Sequence, residues 1–406
     1  MPAVTVTHAR SEPPSSAERF DLALIVALAM ALRVLLCFVV YPRIADRFGP
    51  GDGYDVIALN LAHGKGYVLG GAPGASERLP LYPALLAISF VLFGSSSWPW
   101  QLTQCVCGAV TCALVLSMAR QYASRTGALG AAALCAVHPT LILYTARPLT
   151  ETLYILLLVL FVRALSASEW RSWPVGVLFG LQLLTKATAF LHVPAFAAAG
   201  LRARCRAVVG AGVCTVVMLV PWTLWNLRTS GHPNLLSATA GHTLYHGVYI
   251  SQRVGWTMPV GELNRDAELA LWGESARHGV PDDADVLWRD RVAGELARAW
   301  IANHPAEAVR LWTRNLVLTW YLGRNRLSMV VHGVVHGVLL VAATLGAVRM
   351  WRMHGHARDV MIVAALLVAG YTAFHAIVQP AVRYILPAVP LAALLAAASL
   401  RAESHA

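Results

Sequence analysis

Apolar residues in this chain come in long runs joined by short loops that carry arginine. Runs near 21–41, 98–118, 126–144, 152–168, 173–190, 191–203, 207–224, 328–348, 360–378 and 383–400 approach the roughly 17–25 residues that carry a helix across about 30 Å of hydrocarbon. The pattern predicts an all-α integral membrane protein, a bundle of about ten transmembrane helices. Two further apolar pieces, "LPLYPALLAISFVLFG" (79–94) and "AEAVRLWTRNLVLTWYLG" (306–323), are short or interrupted by arginine and read as helices lying in the interface.

Charge orients the bundle. The loops holding Arg120/Arg125, Arg163/Arg171, Arg202/Arg204/Arg206 and Arg349/Arg352/Arg358 all face the cytoplasm under a single topology with both termini inside. Counting 79–94 and 306–323 as full crossings keeps the termini inside but moves the intervening loops to the opposite side. In the first arrangement, residues 1–20 are a cytoplasmic tail and 21–406 one membrane domain. The outer face then receives the loop 42–97, the turn around 145–151, the region of Lys186, the segment 225–327 and the turn "QPAVRY" (379–384). Of these, 225–327 alone is long and polar enough to fold as a small outer-face helical segment of two or three helices, with an Asp N-cap in "DADVLWRD".

Composition agrees with a bilayer as solvent: 57% of residues are hydrophobic, 13% are charged and mean hydropathy is +0.57. The formal charge of +11 comes without a dense Lys/Arg block, so no nucleic-acid partner is expected. The seven cysteines form no CxxC pair and lie mostly in apolar runs as packing residues. No P-loop or GxGxxG fingerprint is present to bind a nucleotide sugar.

Chemistry gathers in the outer pieces. "GDGYDVIALNLAHGKGY" carries Asp52 and Asp55 beside a glycine-rich turn, and Glu151 opens a run in "TARPLTETLYILLL". Acids this close to lipid are costly and usually serve a site. The bland alternatives are that Asp55 caps the helix after the turn or is a solvated surface acid, and that Glu151 sits at a helix N-terminus with Thr150 as its cap. Two carboxylates at one cavity suit general-base activation of a hydroxyl or amine. Arg78, Arg147, Lys186 and Arg383 lie at the ends of apolar segments, where they either hold an anionic head group or snorkel to the interface. His242/His246 and His332/His336 are spaced to offer two nitrogens to one ion, yet neither pair has a third ligand nearby in sequence. No metal ligand is therefore assigned and no cofactor is expected, a divalent metal being the one candidate.

These pieces, with "ERLPLYP", "HPTLILYTARPLTETLYILLL", "GLQLLTKATAF", "PWTLWNLRTSGHPNLLSATAGHTLYHG", "IANHPAEAVRLWTRNL" and "RYILPAVPLAALLA", resemble in order the polyprenol-phosphate-sugar-dependent membrane glycosyltransferases, GT-C-fold enzymes that include protein O-mannosyltransferases and lipid A aminoarabinose transferases. The resemblance runs from about residue 20 to 400. It implies Asp52 as catalytic base with Asp55 as the alternative, Glu151 as the second acid, and Arg78, Arg147, Lys186 and Arg383 as donor-phosphate ligands. Tyr54, Tyr82, His242 and His246 would line the donor or acceptor cleft. Asp52 stands closer to Tyr54 than the commoner family spacing, "RLPLYP" has Leu where the family has the first proline of a pair, and Lys186 replaces the usual arginine.

The implied reaction is transfer of a hexosyl or pentosyl group, with inversion, from a polyprenyl-phosphate sugar to an acceptor outside the membrane, a bacterial inner membrane by the family's habit. The acceptor is a protein, lipid, glycan or metabolite. A polysaccharide polymerase or ligase using lipid-linked donors also fits a large outer loop with several arginines. A lipid or solute transporter would place its acids mid-span and show matching halves, and neither feature is present.

Overall fold

The computed structural model describes residues 15–48, 51–69, 72–73, 77–167, 171–200, 205–237, 239–255, 260–279, 286–353 and 355–400. Arg202, Arg204 and the aspartates expected to cap the helix at 286 lie outside the described residues, as do 1–14 of the expected tail.

The first helix, α1 (Ser16–Leu35), starts on a capping box in which Ser15 and Glu18 satisfy each other's backbone N–H groups. Residues 16–20, expected as polar tail, are thus its first turn. It continues through a π-turn (Leu36–Val40) into α2 (Tyr41–Ile44). A short helix α3 (Tyr54–Ala62) and a two-residue hairpin, β1 (Val68–Leu69) antiparallel to β2 (Ala72–Pro73), lead to α4 (Leu81–Phe93). Then come α5 (Trp98–Ala119), α6 (Arg125–Val137), α7 (Pro139–Thr145), α8 (Glu151–Leu165), α9 (Ser172–Leu183), a 3-10 turn (Ala187–His192), α10 (Val193–Gly200) and α11 (Cys205–Ser230). The polar segment supplies α12 (Ala240–Arg253), α13 (Val260–Arg277) and α14 (Val286–Asn303), and begins after Ser230 because α11 runs past residue 225. Helices α15 (Pro305–Tyr321), α16 (Arg326–Met350), α17 (Gly355–Val378), α18 (Val382–Ile385) and α19 (Ala388–Ala397) close the chain.

Among the described residues, five helices are long and apolar enough to cross a membrane: Ser16–Arg47, Trp98–Ala119, Arg206–Ser230, Arg326–Met350 and Ala357–Val378. A sixth crossing exists if Arg125–Val137 and Pro139–Thr145, bent by 50°, count as one. The other four expected crossings are shorter helices. At 15 residues, α8 rises only about 22 Å, and most of its apolar residues are buried within the bundle. The interfacial piece 79–94 is the 13-residue α4, and 306–323 is α15.

Lipid-facing and core-facing sides separate by composition. Along α16, Leu327, Val330, Val334, Val338, Val341, Leu345 and Val348 recur every three or four residues and are all exposed. An apolar stripe of that length has no place in water and marks the face toward hydrocarbon. In contrast α19 is apolar all round and buried from Ala388 to Leu395, packed among α6, α16 and α17. At Gly346 of α16 an added Cβ would stand 1.8 Å from the Leu395 carbonyl oxygen, so only glycine lets these backbones approach.

The α6–α7 bend is built by Pro139. Proline lacks the N–H that would bond the Cys135 carbonyl, and the break leaves carbonyls of the last α6 turn without helical partners. Arg33 of α1 supplies them: its Nη2 donates to the Cys135 oxygen at 3.2 Å and its Nη1 to the Ala136 oxygen at 3.2 Å. The guanidinium lies against Gly108 of α5, where a Cβ would be 2.3 Å from Nε. His332 and His336, the second histidine pair, serve helix packing. The Nε2 atoms of His336 and His138 are 2.9 Å apart, and His332 bonds the Thr140 hydroxyl.

Candidate active site

Four charged side chains from four separated stretches converge. Asp52 comes from the turn before α3, Glu151 from the first residue of α8, Lys186 from the link between α9 and the 3-10 turn at Ala187–His192, and Arg383 from α18. Arg383 is the hub. Its Nε donates to Glu151 Oε1 at 2.7 Å, its Nη1 to Asp52 Oδ1 at 3.1 Å, and its Nη2 to Asp52 Oδ2. The planar fork thus holds Asp52 through both carboxylate oxygens while the third donor reaches the second acid, a geometry open to arginine and closed to lysine. Lys186 Nζ donates to the same Glu151 oxygen at 3.2 Å, making two acids and two bases with no net charge.

Local chemistry sets each member. Gly53 adopts φ 80°, and a Cβ there would meet Leu69 Cδ1 at 2.6 Å, so glycine is required for the turn that delivers Asp52. Arg78 locks the same turn by donating Nε to the Asp52 carbonyl at 2.8 Å, while its own carbonyl accepts from Tyr67 Oη at 2.8 Å. Pro380 follows the end of α17, and the restarted backbone is tied by Val382 N to the Leu322 carbonyl at 3.1 Å. Leu81 N donates to the Leu184 carbonyl at 3.1 Å, joining α4 to the turn that carries Lys186.

Glu151 is fully buried, and its Oε2 has no hydrogen-bond partner among the described residues. It lines a cavity with Arg33, Thr111, Cys112, Tyr144 and Ile155. Asp52 is about one-third exposed at its side chain (31%), so it is the acid that solvent and ligands reach. Burial pushes the Asp52 carboxyl up, but Arg383, then Arg78 and Lys186, outweigh it and hold the group at about 2. Tyr54 is pushed up to about 12 by burial, which Arg78 partly offsets.

Of the expected site residues, Asp52, Glu151, Lys186 and Arg383 come together directly. Arg78 touches the centre through its backbone bond and lies over the Tyr54 ring at 5.8 Å. Tyr54 and Tyr82 meet edge to face at 5.5 Å beneath it. Arg147 lies over the Phe48 and Tyr144 rings, and among the described residues it has no carboxylate partner. Asp55 sits in the first turn of α3 without an ion pair among the described residues, and it does not cap that helix, whose N-cap is Gly53. Thr150 likewise makes no side-chain cap to α8. His242 and His246 bond Glu268 instead of any member of the four-residue cluster.

Two contributors were missed from sequence. Tyr384 lies under both cations, 5.9 Å from Arg383 and 5.7 Å from Lys186, and its place beside Arg383 in the "RY" turn was the available signal. Arg324 lies over the face of Phe48 at 5.7 Å, as Arg147 does at 5.6 Å, so two cations flank one ring. No sequence spacing links residues 147 and 324.

This geometry defines a class: a multi-pass membrane protein with a compact carboxylate–guanidinium centre at the ends of its helices. Residues 76–225 match the family model described as dolichyl-phosphate-mannose-protein mannosyltransferase, a stretch that includes Arg78, Tyr82, Arg147, Glu151 and Lys186. Over 95% of the chain the fold is similar to that of the archaeal oligosaccharyltransferase AglB from Archaeoglobus fulgidus, solved with an inhibitory peptide and a dolichol-phosphate, at a TM-score of 0.55 and 13% identity. The chain spans about half (50%) of the length of that protein. No curated protein shows a significant match. Sequence and fold thus point the same way as the motifs, to the GT-C membrane glycosyltransferases.

Proposed function

We propose that the chain transfers a sugar from a polyprenyl-phosphate donor to an acceptor at the outer face of the membrane, with Asp52 as general base and inversion at the anomeric carbon. The observation that carries this reading is the Arg383 fork gripping Asp52 and Glu151 together. It puts an acid able to take a proton beside cations able to hold a phosphate, in a fold similar to that of a dolichol-phosphate-binding oligosaccharyltransferase.

Paired with Arg383, Asp52 is held ionised and has little proton affinity. A donor phosphate that engages Arg383 competes for the same N–H groups and frees the carboxylate, returning it toward the ordinary range. Donor binding thereby switches the base on. The acceptor hydroxyl then gives its proton to Asp52 while its oxygen attacks the anomeric carbon. The bond from that carbon to the phosphate oxygen breaks on the opposite side. Charge developing on the departing polyprenyl phosphate is stabilised by Arg383 and Lys186, with Arg147 as the cation not committed to an acid. Glu151 stays ionised between Lys186 and Arg383 and keeps the fork aimed.

The test is transfer of radiolabelled sugar from a panel of polyprenyl-phosphate donors in membranes carrying wild type, Asp52→Asn or Asp55→Asn at equal protein level. General-base removal lowers turnover by about 100- to 10,000-fold. That loss in Asp52→Asn, with Asp55→Asn near wild type, supports the assignment. Full transfer by Asp52→Asn refutes it, and no turnover of any donor by wild type moves the reading toward transport or polymer ligation.

A further inference from the structure

A second cluster lies in the polar segment, on elements that contribute nothing to the four-residue centre. His242 and His246 stand one turn apart on α12, and both direct Nε2 at one carboxylate oxygen of α13, Glu268 Oε2, at 2.8 and 3.0 Å. Their rings stack with centroids 4.2 Å apart. The three donor atoms lie within 4.8 Å of one another. The cluster is also braced from outside. Trp272 Nε1 donates to the other oxygen of Glu268 at 2.9 Å, and the Asp290 carboxylate accepts the backbone N–H of His242 at 2.8 Å.

From these contacts we infer a binding site for one divalent transition-metal ion, of the zinc class, held by His242, His246 and Glu268. Two imidazole nitrogens and one carboxylate oxygen form a borderline donor set that favours zinc, cobalt or nickel over magnesium or calcium, which take all-oxygen shells. Histidines four residues apart on a helix place both nitrogens on one side. Around an ion with bonds near 2.0–2.1 Å, tetrahedral ligand atoms stand about 3.3–3.4 Å apart. Admitting the ion therefore opens the 2.8 and 3.0 Å contacts by about 0.3–0.6 Å and draws three donor atoms that already lie within 4.8 Å of one another onto one point. In the ligating tautomer each neutral imidazole carries its single N–H proton on Nδ1 and offers the Nε2 lone pair to the metal, and any proton beyond that one is released to water. The Trp272 bond steers Glu268 as an outer partner steers a metal ligand. His246 is nearly buried (8% exposed at the side chain), while His242 (39%) and Glu268 (43%) open to solvent, which leaves the fourth position to water.

The role assigned to the ion is a clamp between α12 and α13. At Gly247, next to His246, an added Cβ would stand 1.3 Å from the Val378 carbonyl oxygen, so α12 lies directly on the end of α17. Asn264 of α13 accepts from Gln379 Nε2 at 2.9 Å. Both clamped helices thus touch the residues leading into Arg383.

The test uses the full-length chain purified in detergent without a histidine tag, stripped with chelator, then equilibrated with Zn2+ and separated from free metal. Wild type is expected to retain about one equivalent, and Co2+ in its place to give visible d–d bands. His246→Ala and Glu268→Ala lose the retained ion, whereas His304→Ala, a change outside the cluster, keeps it. Zn2+ at a hundred times its dissociation constant shifts the unfolding equilibrium of wild type about 100-fold and leaves that of His246→Ala unmoved. Glu268→Gln keeps an acceptor for both imidazoles but loses the charge. If it binds and responds to Zn2+ as wild type does, or if wild type retains no more metal than His246→Ala, the cluster is a hydrogen-bonded staple and the inference falls. None of these readouts depends on sugar transfer.

Discussion

Replacing Arg383 by alanine is the sharpest test of how the centre is held. The change removes three charge-assisted hydrogen bonds: one to Glu151 at 2.7 Å and two to Asp52, of which one measures 3.1 Å. Glu151, with no exposed side-chain surface, is left with Lys186 alone, at 3.2 Å. Breaking a buried ion pair by deleting one partner costs about 3–5 kcal/mol. Asp52 and Arg383 keep 31% and 25% side-chain exposure, so water recovers part of that loss and the expected cost is near the lower end, about 3 kcal/mol. At about 2.1 cal/mol/K per residue, the 406-residue chain unfolds with roughly 0.85 kcal/mol/K, so the melting temperature falls by about 3–4 °C. The 13 tryptophans give a fluorescence signal for such a melt in detergent. Arg383→Ala, Glu151→Gln and the double variant form a cycle, and shared contacts predict a coupling of about 0.5–3 kcal/mol rather than additive losses. Melts of Arg383→Ala within about 1 °C of wild type, or strict additivity in the cycle, would refute the view that the fork holds both acids.

The pH dependence follows from Asp52. Its folded value of about 2 lies below the ordinary 3.8, so its contribution to stability is fully present above the unfolded value and is lost as pH falls toward 2. Melting temperature should therefore show no step from this group between about pH 5 and 8, and an acid limb in that window that vanishes in Asp52→Asn would contradict the ion pairing. In Arg383→Ala the strongest opposing charge is gone, and the acid limb moves to higher pH in the same assay. Gly108→Ala puts a methyl 2.3 Å from Arg33 Nε and forces the guanidinium off the α6–α7 carbonyls. Overpacking of this kind costs about 1–3 kcal/mol, read as a smaller monodisperse fraction on size exclusion; elution like wild type would show that Arg33 is free to move.

The helical class and the candidate acids were legible because hydrophobic run length and the position of charge relative to it are one-dimensional signals. Glu151 and Arg383 sit where apolar runs begin, Lys186 lies near the end of one and Asp52 in the loop after another, and the fold brings these places together. The bundle's finer drawing was not legible. Run length alone did not separate the lipid-facing α16 from the shorter, interior α8 and α19, because apolar residues facing lipid and apolar residues facing protein read alike. Arg33 lies inside the first run, where only the bend at Pro139, a hundred residues later, explains its burial. Glu268 was invisible as a partner of His242 and His246, since it stands on another helix 22 residues beyond His246. Cap assignments for Asp55 and Thr150 failed for a local reason: the turns before α3 and α8 bring the chain into the helix without a side chain folded over its first amides.

The bend at Pro139 has a mechanical side. A proline break in a membrane helix often serves as a flexing point, because the freed carbonyls can trade partners as the two halves swing. In this protein those carbonyls are occupied by Arg33, a residue that is itself wedged against Gly108 and bonded back to the Ala29 carbonyl at 3.1 Å. The joint is splinted. The two halves of this broken helix can therefore swing only if Arg33 first gives up the Cys135 and Ala136 carbonyls. Pro139 thus gives this helix its angle without giving it a hinge.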